Sequence, residues 1–219
     1  MRHSLIPFAG VLLVSIAGRA TAAPAPNRAG VDLGIRAGYA LPFGDLDGTR
    51  GSLAGWVSGA FPVVLEAGYR LDNRFTVGPY FQFAFAQVKD NTNTGCTSNN
   101  GCSGWIVRAG LQGQYHLDIK SPIKPWAGLG IGYEWTSYSG TVGNVGFSGN
   151  ATGWEFLNVS IGGDVQVSQS TAVGPFVGFS LGRYDSVSGT LGNLTGSSDV
   201  TNPSFHEWFM FGVRLLFGL

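Results

Sequence analysis

The sequence predicts an all-β fold: an eight-stranded antiparallel, up-and-down barrel that spans a membrane. Three observations carry this. Apolar residues recur at every second position in eight separate stretches, the period of a strand with one face in an apolar medium. The connections between these stretches alternate, short then long. Finally, Arg36, Glu66, Arg108, Glu134, Asp164 and Arg214 fall on the face opposite the apolar one. The composition agrees: 35 Gly among 219 residues, 13% aromatic and only 12% charged, as expected of many strands and tight turns.

The last stretch, FHEWFMFGVRLLFGL, is the clearest. Phe209, Phe211, Val213, Leu215, Phe217 and Leu219 form one unbroken apolar face; Trp208, Met210, Gly212, Arg214, Leu216 and Gly218 form the other. In water a strand with so bare a face is an aggregation hazard, whereas a bilayer demands it.

The other seven follow in order. Strand one carries Leu33, Ile35, Ala37, Tyr39 and Leu41 against Gly34, Arg36, Gly38 and Ala40, and a polar, Gly-rich stretch follows. Strand two, about 56–70, sets Phe61, Val63, Leu65, Ala67 and Tyr69 against Glu66, Gly68 and Arg70; residues 71–74 then make a hairpin-length turn. Strand three, 75–88, places Val77, Phe81, Phe83 and Phe85 opposite Tyr80, Gln82 and Ala84. After a long polar loop, strand four (105–117) sets Val107, Ala109, Leu111, Tyr115 and Leu117 against Arg108, Gln112, Gln114 and His116. Strand five, KPWAGLGIGYEW, has Leu129, Ile131, Tyr133 and Trp135 on one face and Gly128, Gly130, Gly132 and Glu134 on the other. A Ser-, Gly- and Asn-rich loop is expected over 137–153. Strand six opposes Leu157, Val159, Ile161, Val165 and Val167 to Asn158, Ser160, Gly162, Asp164 and Gln166. Strand seven, AVGPFVGFSLGRY, echoes the TVGPYF of strand three, and a last long loop is expected over 185–204. Short turns follow strands two, four and six, and four long loops follow the odd-numbered strands. This is the layout of an outer-membrane barrel, with three periplasmic turns and four external loops.

The arginines fix which face meets lipid. An Arg on the lipid face at mid-bilayer costs roughly 2–4 kcal/mol, and each one alternates with the apolar set. Arg36, Glu66, Arg108, Glu134, Asp164 and Arg214 are therefore expected inside. An eight-stranded barrel is just wide enough for its side chains to fill, so these charges should pair with one another and with Gln82, Gln112, Gln114 and Asn158, plugging the lumen. Inward glycines, among them Gly34 and Gly162, leave room for them.

Residues 1–22 read as a cleaved secretory signal, with Arg2 and His3 before an apolar segment and Ala20-Thr21-Ala22 as the small-x-small site. A short lead-in, 23–30, would precede the barrel, 31–219. In the oxidising compartment this implies, Cys96 and Cys102 are expected to form a local disulfide. With no nearby His or carboxylate the pair is a poor metal site, and no cofactor motif is present. Thirteen basic and thirteen acidic residues balance, which argues against a nucleic-acid partner.

Strand layout, the GYRL stretch, the AGLGIGYEW stretch and the closing strand together resemble the small OmpA/OmpX-like outer-membrane β-barrel family over 31–219. The resemblance implies residence in the bacterial outer membrane among lipid and lipopolysaccharide, and delivery to the barrel assembly machinery through residues 209–219. A structural or surface-interaction role is the leading expectation, with an unidentified extracellular ligand; a small-solute channel is the alternative, with a lipid A-modifying hydrolase using Ser204 and His206 behind it. No enzyme activity is expected. Ser204 and His206 share a face, a spacing that resembles the membrane-facing serine–histidine pair of lipid A deacylase barrels, but Glu207 points the other way. His116, near a periplasmic turn, reads as an ordinary polar residue.

Overall fold

The computed structural model describes residues 30–45, 51–89, 96, 102–142 and 145–218. The expected signal, the lead-in save for Gly30, and Leu219 lie outside the described residues. Nine strands and one short helix follow in order: β1 (Gly30–Gly44), α1 (Leu53–Trp56), β2 (Val57–Arg70), β3 (Phe75–Val88), β4 (Ser103–His116), β5 (Ile123–Val142), β6 (Val145–Gln166), β7 (Thr171–Leu191), β8 (Leu194–Asp199) and β9 (Phe205–Gly218).

Eight of the strands close a ring. Each of β1 to β7 pairs antiparallel with the next, β7 pairs with β9, and β9 pairs with β1. The seam between the first and last strands runs from Asp32 opposite Gly218 to Gly44 opposite His206. Closure removes the free edges that an open sheet presents. β8 stands outside the ring, paired to the end of β7 alone.

Alternation decides the two faces. Phe61, Leu65, Phe81, Leu111, Ile131 and Val213 are all exposed on the outer surface, Leu111 at 64%. Their strand neighbours Val64, Glu66, Tyr80, Gln82, Ile106, Arg108 and Arg214 are buried within the barrel. The interior thus holds buried charge, Asp32, Arg36, Glu66, Arg108, Glu134, Glu155, Asp164 and Arg214, and the outer wall is a band of exposed apolar side chains, an arrangement suited to lipid.

Two of the expected external loops take another form. Residues 137–142 and 145–153 are strand rather than loop: β5 continues to Val142, β6 begins at Val145, and the pair stays in register from Thr136 opposite Ala151 to Val142 opposite Val145. Likewise residues 185–204 contain the end of β7 and all of β8, paired from Ser186 opposite Asp199 to Leu191 opposite Leu194. The apolar alternation stops there because both faces meet water. The backbone ladder needs no such pattern, so the Ser-, Thr- and Gly-rich sequence gives no sign of it.

A second difference concerns phase. Counted back from Leu157, Glu155 belongs to the outward set, yet it is 1% exposed. The register of β6 slips between Glu155 and Leu157 against β7, and the β5 ladder slips at the same level, so Phe156 is an extra residue that turns Glu155 inward. Phe156 is itself exposed on the outside.

Candidate functional site: the lumen and its external mouth

The lumen charges gather into two centres. The first lies toward the short-turn end and is built from β1, β2, β4, β6 and β9. Arg214 Nε donates to Glu66 Oε1 at 2.6 Å, Nη1 to Asp164 Oδ2 at 3.1 Å and Nη2 to Gln114 Oε1 at 2.6 Å. Arg36 Nε lies 3.2 Å from Glu66 Oε2, and its Nη2 donates to Gln112 Oε1 at 3.1 Å. Gln112 and Gln114 in turn donate to Glu66 Oε2 at 2.8 and 3.0 Å. Two arginines therefore face two carboxylates, and the centre is balanced. Aromatic faces complete it: the Arg214 guanidinium is 4.3 Å from the Trp126 ring centroid, and that of Arg36 is 5.5 Å from Phe176. Below, Arg70 and Asp32 form a pair at 2.5 Å near the chain's first residues in the sheet.

The second centre lies toward the long-loop end. Arg108 Nε donates to Glu134 Oε2 at 2.6 Å, and its Nη1 donates to Ser180 Oγ at 3.1 Å and stands 3.6 Å from Glu155 Oε1. One arginine here meets two carboxylates. Neutral donors supply the remainder: Tyr184 Oη to Glu134 Oε1 at 2.5 Å, Thr136 Oγ1 to the same oxygen at 3.1 Å, Asn158 Nδ2 to Glu155 Oε1 at 2.9 Å, and the Tyr80 hydroxyl to Glu155 Oε2. His206 stacks on Tyr184 with ring centroids 4.1 Å apart, and its Nε2 lies 3.3 Å from Glu134 Oε1.

Glycine makes space for these bulky groups. A Cβ at Gly34 would overlap the Glu66 carboxylate, and one at Gly162 would come within 2.7 Å of the Trp126 ring. At Gly182, opposite His206 in the β7–β9 ladder, it would come within 2.7 Å of the imidazole.

All six charges read from the sequence lie inside the barrel, split between the centres: Arg36, Glu66, Asp164 and Arg214 in the first, Arg108 and Glu134 in the second. Gln112, Gln114 and Asn158 join them, whereas Gln82 lines a small void beside Arg108. The lumen network expected from the sequence did not include Asp32, Glu155, Tyr80, Tyr184 or His206. Asp32, Tyr80 and His206 stood in the inward phase, so parity alone could have found them; Glu155 could not be found that way. The two histidines part company. His116 ends β4 half-buried, opposite Trp126. His206 faces the lumen, so the serine–histidine pair does not face lipid as the hydrolase alternative required; Phe205 and Phe209 on the same strand are the exposed residues.

The lumen is filled. Two voids in it, beside Arg108 and beside Glu66, have volumes of about 10 Å³ each, room for about one water molecule apiece. Above the second centre the barrel opens into a larger external pocket of about 110 Å³, lined by α1, by the outer ends of β2, β3 and β4, and by the extensions of β5, β6 and β7. Cys96 and Cys102 are joined by a disulfide in the loop beside this mouth, with Cα atoms 5.9 Å apart. Gly140 on the β5 extension gives Cys102 Sγ its space.

Closed ring, apolar exterior and charged interior define the class: a small outer-membrane-type β-barrel. The structure is similar over 87% of its length to all of a major outer membrane protein from Thermus thermophilus, at 16% identity and a TM-score of 0.55. It is also similar to the outer membrane protein AlkL in lipid bilayers (18% identity, TM-score 0.51, 90% of this chain and 95% of that one). A third similar structure is the outer membrane protease OmpT from Escherichia coli (6% identity, TM-score 0.51, 87% and 97%). No family model matches the sequence. No curated protein matches it either. At these identities the likeness is one of fold: the chain has the fold of outer-membrane barrels.

Proposed function

We propose that the protein is an integral component of the bacterial outer membrane whose role is structural or surface-interacting rather than conductive. The carrying observation is the lumen, packed across its width by two centres of paired charge with voids of about 10 Å³. An ion crossing would have to displace arginines and carboxylates from buried partners, and breaking one such pair costs about 3–5 kcal/mol. The strand extensions support the same reading, since they hold β5 to β8 in a sheet beyond the apolar band, where loops of outer-membrane barrels meet the surroundings. Lipid and lipopolysaccharide are the proposed neighbours of the outer wall, and the barrel assembly machinery the proposed reader of the β9 segment.

Two measurements test this. An unboiled sample of the outer-membrane fraction should run at a different gel position from a boiled one, because a closed barrel resists detergent. The purified protein should give no stable channels of porin size in planar bilayers. Regular conductance steps from the wild type, abolished by a lumen substitution, would replace this reading with the small-solute channel.

A further inference from the structure

From the external pocket we infer a binding site for a small, uncharged molecule carrying a single aromatic ring. The inference goes beyond the role proposed above and depends on it only in placing this mouth outside the cell. The pocket is roofed on one side by Leu53 and Trp56 of α1, walled by Ala86 of β3 and by Tyr138 and Val187 of the extensions, and floored by Tyr184. Leu53, though in a four-residue helix next to a loop, is only 2% exposed, so the roof is packed in place.

Three features select the ligand. Size comes first. A volume of about 110 Å³ is close to that of the engineered lysozyme cavity of about 150 Å³ that binds benzene. Charge comes second. Among the described lining residues none is Asp, Glu, Lys, Arg or His, so an ion entering would give up hydration with no partner to replace it. Shape comes third. Trp56 and Tyr138 meet edge to face, centroids 5.9 Å apart at 61°, and Tyr184 is fixed below by its stack on His206 and its bond to Glu134. Rigid aromatic walls favour a ring over a flexible chain, because offset and edge-to-face contacts add to area burial. The Thr136 and Tyr184 hydroxyls at the lining both donate to Glu134 and keep lone pairs that can accept a hydrogen bond from one polar substituent.

The pocket also connects to the charge centre beneath it. The Tyr184 and Thr136 hydroxyls, 3.1 Å apart, both reach Glu134, so the floor is preorganised and a ligand need not order it.

The test is fluorine NMR of 4-fluorophenol titrated into the full-length barrel in lipid nanodiscs, with empty nanodiscs as reference. The expected result is a saturable shift absent from empty discs, and 4-fluorobenzoate, the charged analogue, should not compete. Filling the pocket from opposite sides with Ala86→Phe and, separately, Ala151→Phe should weaken binding by about tenfold or more, provided each variant keeps its heat-modifiable mobility. A wild-type shift no greater than in empty discs, equal competition by 4-fluorobenzoate, or undiminished binding in a folded filled variant would each overturn the inference. The wild-type arms decide the matter even if both variants misfold, and neither arm depends on conductance.

Discussion

The two charge centres of the lumen solve one problem by different means. Near the short turns, Arg36 and Arg214 meet Glu66 and Asp164, charge for charge, with Gln112 and Gln114 spanning the gaps. Near the mouth, Arg108 alone meets Glu134 and Glu155, and two tyrosines, a threonine, an asparagine and a histidine supply the rest. A buried ion costs several kcal/mol unless compensated, and compensation can come from opposite charge or from several oriented neutral donors. The first means makes a centre depend on each member; the second spreads the dependence.

Substitutions can break this contrast. Glu66→Ala should have the largest effect, because it leaves buried Arg36 without its carboxylate and takes from Arg214 one of its two: an expected loss of about 3–5 kcal/mol or failure to assemble, read as the urea midpoint and the heat-modifiable mobility in lipid vesicles. Glu134→Gln keeps the shape and leaves Arg108 beside Glu155, so a smaller loss of about 1–3 kcal/mol is expected. Equal damage from the two variants would end the distinction. Tyr184→Phe removes one of several donors to Glu134 and should cost about 1 kcal/mol, with the barrel still shifting on heating.

The smallest effect lies outside the lumen and sets its baseline. In the turn between β2 and β3, the backbone N–H groups of Arg74 and Phe75 both donate to Asp72 Oδ1 at 2.7 Å, and these bonds hold the fully exposed carboxyl below the usual aspartate range. A depressed carboxyl contributes stability above its unfolded value and loses it as pH falls through the folded one. Asp72→Ala should therefore lower the urea midpoint slightly at neutral pH, and the difference should vanish in acid.

Much of the architecture was legible because lipid imposes a period. Wherever one face must be apolar and the other must hide Arg36, Arg108 or Arg214, alternation names the strand, its limits and its inward side. Beyond the bilayer that constraint lapses, and there the reading of 137–153 and 185–204 as loops failed: β5, β6, β7 and β8 are held by backbone pairing that leaves no mark on side-chain type. The mouth pocket was hidden for the same reason, since Leu53, Ala86 and Val187 meet only through those extensions. Glu155 shows the other limit. A single extra residue, Phe156, inverts the parity of what precedes it on β6, and only the facing registers of β5 and β7 reveal the inversion.

The seam between β1 and β9 has a consequence for the order of events during biogenesis. Arg214 reaches back 148 positions to Glu66 and 100 to Gln114, and the strand that carries it is also the one that completes the ring. Until that strand arrives, Glu66 and Gln114 each lack one of their partners, and the edge of β1 stands open to any other chain. Long-range pairing of this kind is slow and leaves the incomplete chain prone to aggregation. Ring closure and charge neutralisation thus fall at the same moment, so a nascent chain halted before β9 would carry neither a sealed wall nor a quiet interior, and would depend on escort until its final strand is delivered.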